Sequence, residues 1–308
     1  MLTKTIELAP QAPQATTDLH RIALGLESGL SDQCVYALCC FDSCIIEGIA
    51  NPTRDEGLWN RCEAALLKLL QSCQSGPLLV HVLHSLSYSL QMSDPESDSL
   101  IPRLIDVVLG EGLFSIRERQ LALRCLSVLE LDEAETRSFQ RALMLLIRFS
   151  QTSENGVELL TMSVSLMSRY ASELSSEEIN EQLVPYLLRR LKSSPLIASK
   201  KSFKQVLACL GLIHLILELK PDIIAQPRNV LIATLIDRLR GGCGCVAGSA
   251  CETCQACVSC LLRIGVHPVM REDLRPFMDA ILQVAWNWKS GSPIAAQSLL
   301  NMMSGLLH

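Results

Sequence analysis

Apolar positions recur along this chain at steps of three and four residues, and no useful length of it alternates apolar with polar. That period belongs to helices with one buried face, not to half-buried strands. The clearest unit lies over 18–49. Leu19, Ile22, Ala23, Leu26 and Leu30 form a first stripe, and Val35, Leu38, Phe41 and Ile45 form a second. Asp18 is placed to cap the first helix, and Ser31 or Asp32 the second. Between them Gly29 predicts a left-handed residue, a conformation that costs other residues a steric penalty. Neither helix is polar enough to stand alone, so each requires a neighbour.

The rest of the chain repeats helix, short turn, helix. Helices are expected over 58–73, 78–90, 100–109, 116–129, 157–170, 201–219, 229–239, 250–264, 273–288 and 293–307. Two more are marked by their starts: Asp132 caps one reaching Phe149, and Ser175 with Glu178 opens one reaching Leu191. Pro77 and Pro102 sit in first turns, where proline is welcome. Pro185 falls inside its helix and predicts a kink or a late start. Helix pairs recur at roughly forty residues, inside the range of armadillo and HEAT repeats. The expected fold is therefore all-α, an α-solenoid of armadillo/HEAT-like repeats with about fourteen helices, occupying 17–308 as one domain. Residues 1–16, rich in Pro, Gln and Thr, are expected to be a disordered lead-in. A compact helical bundle is the structural alternative.

Composition agrees with this. Hydrophobic residues make up 49%, charged residues 19% and aromatics 4%, a balance suited to helix-on-helix packing. No apolar run approaches the ~20 residues that span a bilayer, since His214 and Glu218 interrupt the longest one. Lys4 and Glu7 stand where a secretory signal would have its apolar core, so export is not expected. Fourteen cysteines spread through the expected helices read as small buried hydrophobes. A net charge of −5 argues against a surface that binds nucleic acid all over, which needs a basic field.

No catalytic signature is readable. There is no phosphate-cradling loop, no dinucleotide fingerprint and no nucleophile elbow, so a non-enzymatic role without cofactor is expected. His81 and His84 share a helix face without the intervening Glu of a metalloprotease and read as structural. His214 reads as a packed core residue. Cys243, Cys245, Cys251 and Cys254 are candidate zinc ligands, because thiolates at such spacings can hold zinc tetrahedrally. Cys257 and Cys260 continue the run, but a three-residue step turns about 300°, so these cysteines spiral round a helix. The competing reading is small residues at a close helix contact. Arg189, Arg190, Lys192, Lys200, Lys201 and Lys204 form a basic cluster over 189–204, a candidate contact for phosphate or an acidic partner; the competing reading is an ordinary solvated edge. Direct nucleic-acid contact is expected nowhere else. Trp286 and Trp288 lie about 200° apart on their helix, so one can pack inward while the other faces a partner.

The stretch over 22–41 carries one more signal. Leu26, Ser28, Gly29 and Leu30, followed by Tyr36, Ala37 and Leu38, resemble the start of the armadillo-like region in the AT-rich-interaction subunits of SWI/SNF and RSC chromatin remodellers. Cys39 stands where that family carries Asn. The resemblance implies a nuclear scaffold subunit that contacts other proteins of a remodelling complex.

Three functional readings follow. The first is a non-enzymatic α-solenoid scaffold within a multi-protein complex of the SWI/SNF type. The second is a cytosolic helical-repeat adaptor that binds peptide or helix segments of partner proteins. The third is a zinc-binding module around 243–260. None involves a small-molecule substrate or a membrane.

Overall fold

A computed structural model describes residues 15–53, 55–93, 99–110, 112–149, 154–193, 200–220, 228–241 and 251–307. Among them every regular element is helical and no β-strand occurs. The chain divides into two compact units, Met1–Thr136 and Arg137–His308.

The first unit is built from α1 (Ala15–Glu27), α2 (Ser31–Ile46), α3 (Glu56–Ser72), α4 (Pro77–Ser89), α5 (Leu100–Leu109) and α6 (Ile116–Leu126). Helix α1 packs on α2 and α3, α2 on α4, α3 on α4 and α5, and α4 and α5 on α6. Each helix thus meets the next one in sequence or the next but one. The predicted stripes supply the core: Leu19, Leu26, Leu38, Phe41, Leu66, Leu83 and Leu86 are all buried. Trp59 is 1% exposed and its ring lies 5.4 Å from that of Phe41. Gly25 lets α1 and α2 approach closely, since a Cβ there would stand 2.8 Å from that of Ala37.

Polar groups close this unit at its turns. Ser115 caps α6 in a capping box: its hydroxyl accepts from the Glu118 amide, and the Glu118 carboxylate accepts from the Ser115 amide. That carboxylate also accepts from the Gly76 amide at 2.7 Å and from the Ser75 hydroxyl at 2.9 Å. One side chain therefore ties the start of α4 to the start of α6. Asp132 and Glu135 cap the following helix reciprocally, at 2.8 and 2.9 Å.

The α1–α2 turn follows the expectation in one respect and departs from it in two. Gly29 has φ 69°, the left-handed conformation. Helix α1 begins at Ala15, so Asp18 lies inside its first turn and is not the cap. Neither Ser31 nor Asp32 caps α2; Leu30 holds that position without a side-chain bond. Ser28 closes the turn instead, donating to the Gly25 carbonyl at 2.8 Å and accepting from the Leu30 amide at 3.2 Å. A Cβ at position 29 would meet nothing within 4 Å, so backbone strain alone should decide a substitution there. Gly29→Val is expected to cost about 1–2 kcal/mol, read as a lower urea midpoint for this unit; an unchanged midpoint would mean that the turn tolerates a side chain.

The second unit takes in α7 (Glu133–Phe149) from Arg137 onward, then α8 (Glu154–Met167), α9 (Val184–Ser193), α10 (Lys200–Leu219), α11 (Arg228–Gly241), α12 (Glu252–Val266), α13 (Pro268–Arg271), α14 (Met278–Trp288) and α15 (Pro293–Leu307). Helix α10 packs on α8, α9 and α12, and α12 also on α11 and α15. Helix α11 packs on α9 and α14, and α14 on α15. Helix α7 is fastened by Phe139, edge-on to Tyr170 at 5.9 Å, and by Gln140, which donates to Glu173 at 2.7 Å.

Three predicted helices are shorter or less regular than their apolar period suggests. Helix α6 stops at Leu126 and not near 129. The helix expected over 273–288 starts as a 3-10 stretch, Glu272–Phe277, with Pro276 inside it; the α-helix proper begins at Met278. The helix opened by Ser175 and Glu178 passes through a π-helical stretch, Glu178–Leu183, immediately before α9. The Val184 amide there donates to the Ile179 carbonyl, five residues back. This wider turn accommodates Pro185, which lacks an amide proton and crowds the preceding turn.

Of the expected lead-in, residues 1–14 lie outside the described residues, and α1 already covers Ala15 and Thr16.

Candidate functional site

The candidate residues distribute over several places, and only some come together. Arg189 and Lys192 are exposed on α9, Arg190 is half-buried beside them, and Lys204 is exposed on α10. Burial pulls the pKa of Arg190 below its ordinary value, and the adjacent Arg189 charge adds to the effect. Lys200 and Lys201 begin α10, and their side chains lie outside the described ones. The six basic residues are thus not shown as one cluster.

Arg189 instead meets residues distant in sequence. Its guanidinium lies 5.2 Å from the centre of the Tyr186 ring, and that of Arg148, from α7, lies 5.5 Å from the same ring. Here α7, the π-helical stretch and α9 enclose a groove of ≈ 230 Å³. Met144, Leu145, Ile147 and Leu183 supply its apolar walls, and Arg141, Arg148, Glu178, Gln182 and Tyr186 its polar ones. Leu145 is 41% exposed, an unusual position for a leucine amid arginines. The Glu178 carboxylate is already used, accepting from the Ser175 amide at 2.8 Å. Arg141 and Arg189 have no carboxylate partner among the described residues. Sequence reasoning missed Arg141, Arg148 and Tyr186, although Arg137, Arg141, Leu145 and Arg148 recur at helical steps opposite the buried face of α7.

The tryptophans separate as their spacing requires. Trp288 is 6% exposed and Trp286 is 73% exposed. Lys289 places its ammonium 5.1 Å over the Trp286 ring, and Leu282, four residues earlier on α14, is also exposed.

The proposed zinc set is only half within the described residues: Cys243 and Cys245 lie outside them. Cys251 precedes α12 and Cys254 is buried in its first turn. Burial pushes the Cys254 and Cys260 thiols up to about 12 and that of Cys257 well above its ordinary value. Among the described residues no group of three or more His, Cys, Asp or Glu side chains is arranged to hold a metal ion. The buried cysteines do something else. The Cys260 thiol donates to the Leu210 carbonyl on α10 at 3.6 Å, Cys125 to Leu83 on α4 at 3.4 Å, and Cys62 to Leu19 on α1 at 3.8 Å. In each case a small side chain meets the backbone of a packed neighbouring helix. In the native protein a thiol reagent is therefore expected to label exposed Cys39 well before Cys254, Cys257 and Cys260, as mass spectrometry of the digested chain would show. Rapid labelling of Cys257 would contradict the packing of α12.

Of the histidines, His84 places Nδ1 3.0 Å from Asp42 Oδ2 and lies edge-on to Tyr88 at 5.0 Å, linking α4 to α2. His81 and His214 are half-buried. Within 22–41, Leu26, Ala37 and Leu38 are core residues, whereas Leu30 and Tyr36 are exposed.

Among the described residues no helix is long and apolar enough to cross a membrane. A scan against protein-family models and a search of curated protein sequences find no match to the chain.

Proposed function

We propose that this chain is a non-enzymatic scaffold of armadillo/HEAT-like helical repeats that works by presenting side chains to other proteins. The observation that carries this reading is the packing order within each unit. Alternate helices stack on one another, α1 on α3 and α2 on α4 in the first unit, α8 on α10 and α10 on α12 in the second. Such nearest-neighbour stacking is how repeat proteins share a continuous core. Side chains left outside that stacking, Tyr36, Leu145 and Trp286 among them, are then available as anchors.

The assembly we infer is a SWI/SNF-type remodelling complex in the nucleus, on the strength of the resemblance over 22–41. Affinity capture of the tagged chain from its native cells tests this. Recovery of a remodelling ATPase and core subunits is the expected result; their absence, with other proteins captured, removes the chromatin assignment and leaves the scaffold. The groove at Tyr186 favours a second reading, a cytosolic adaptor for peptide segments, and the same experiment separates the two by what is captured.

A further inference from the structure

We propose that the groove formed by α7, Glu178–Leu183 and α9 binds a segment of a partner protein that carries carboxylates flanking one or two large apolar side chains. This rests on the scaffold reading and names the partner chemistry of one site.

Charge and shape both point to that occupant. Arg141 at the groove and Arg189 on its tyrosine have no carboxylate partner among the described residues, and the groove's one carboxylate, Glu178, is already hydrogen-bonded. Arg148 and Arg189 hold like charges on the same ring of Tyr186. An anion brought beside that ring gains charge-assisted hydrogen bonds from planar donors that suit carboxylates. The floor is a different surface. Exposed Leu145 and half-buried Met144, backed by buried Ile147 and Leu183, offer nothing to a charged group but accept an apolar side chain. The volume of ≈ 230 Å³ lies below the ~300–1,000 Å³ of small-molecule sites and fits an inserted side chain or two. On α7 the order Arg141, Leu145, Arg148 places charge, apolar contact and charge along one helix face. An acidic amphipathic segment matches that order. A nucleic-acid backbone would satisfy the arginines but leave the apolar floor unused, and Tyr186, already engaged by two cations, is poorly placed for base stacking.

The test uses the full chain and a fluorescein-labelled peptide of repeated Asp-Asp-Leu-Phe blocks, followed by anisotropy. Saturable binding is expected that weakens with added salt, together with loss of binding when Lys replaces Asp or when Ser replaces Leu and Phe in the peptide. Arg141→Glu, which removes no ion pair among the described residues, should weaken binding about tenfold with an unchanged helical melting curve; Arg141→Gln should weaken it less. Leu145→Ser should weaken binding with little effect on its salt dependence. Binding that ignores the apolar residues of the peptide, or a labelled single-stranded RNA that binds more tightly than the acidic peptide, would overturn the proposal, as would no binding at all. The two readings fail separately: if affinity capture with the Arg141→Glu chain still recovers the full set of partners, the groove is not the docking site although the scaffold stands, whereas capture of no partner by the wild-type chain removes the scaffold reading.

Discussion

Replacing Glu118 by alanine is expected to remove about 3 kcal/mol of stability from the Met1–Thr136 unit, at roughly 1 kcal/mol for each donor left without its acceptor. Three donors are at stake: the Ser115 amide, the Gly76 amide and the Ser75 hydroxyl. Glu118 is 1% exposed, so water cannot readily replace the lost carboxylate. Glu118→Gln keeps one acceptor oxygen but turns an amide group toward these donors, and should lose about half as much. Burial by itself pushes the Glu118 carboxyl up, but the Ser115, Gly76 and Ser75 donors outweigh it and hold its pKa below the ordinary 4.5. A carboxyl depressed by folding stabilises the folded state above its unfolded pKa, and that contribution is lost as pH falls through the folded pKa. The wild-type unit should therefore weaken as pH drops below about 4.5, and the gap to Glu118→Gln should shrink over the same window. Hydrogen exchange across 75–126 at a series of pH values reads this directly; a gap independent of pH would assign the effect to packing alone.

Trp59→Ala should be the most damaging core substitution, costing about 3–5 kcal/mol. The indole is enclosed, stacks obliquely on Phe41, and its Nε1–H donates to the Ser93 hydroxyl at 3.1 Å. Ser93 in turn donates to the buried carboxylate of Glu63. Alanine leaves a cavity and breaks the link through Ser93 to the buried Glu63 side chain. Trp59→Phe should recover most of the packing and none of the hydrogen bond, so it should lie between the two. Urea unfolding followed by hydrogen exchange in α2 and α3 distinguishes the three proteins. An alanine variant as stable as wild type would show that the Phe41–Trp59 contact is not part of the core.

The helices were readable because burial imposes a three-to-four residue period, and Leu38, Phe41 and Leu83 had to face inward for any packing to exist. Gly29 was readable for a similarly local reason. The capping of α2 was misread because Ser28, not Ser31, satisfies the turn; hydroxyls three residues apart offer the same chemistry, and only the backbone geometry chooses between them. Pro185 announced irregularity, but whether the chain would kink, restart or widen into a π turn depended on what packs against it. Most of the groove was invisible for a different reason. Arg189 was evident within its basic run, yet its partners Tyr186 and Arg148 became a site only when α7 was brought against α9. Long-range placement of that kind leaves no mark in local periodicity. The cysteines were legible as small buried hydrophobes, and Cys62, Cys125 and Cys260 are buried; that each also donates to a backbone carbonyl of a neighbouring helix depends on packing and left no mark in the sequence.

Sedimentation of the endogenous protein from gently lysed cells, with immunodetection of this chain across the gradient, tests the scaffold account most directly. The account predicts that the chain travels in a large assembly together with a remodelling ATPase, and that it leaves that assembly only under dissociating salt. Migration as a lone chain at physiological salt would contradict it.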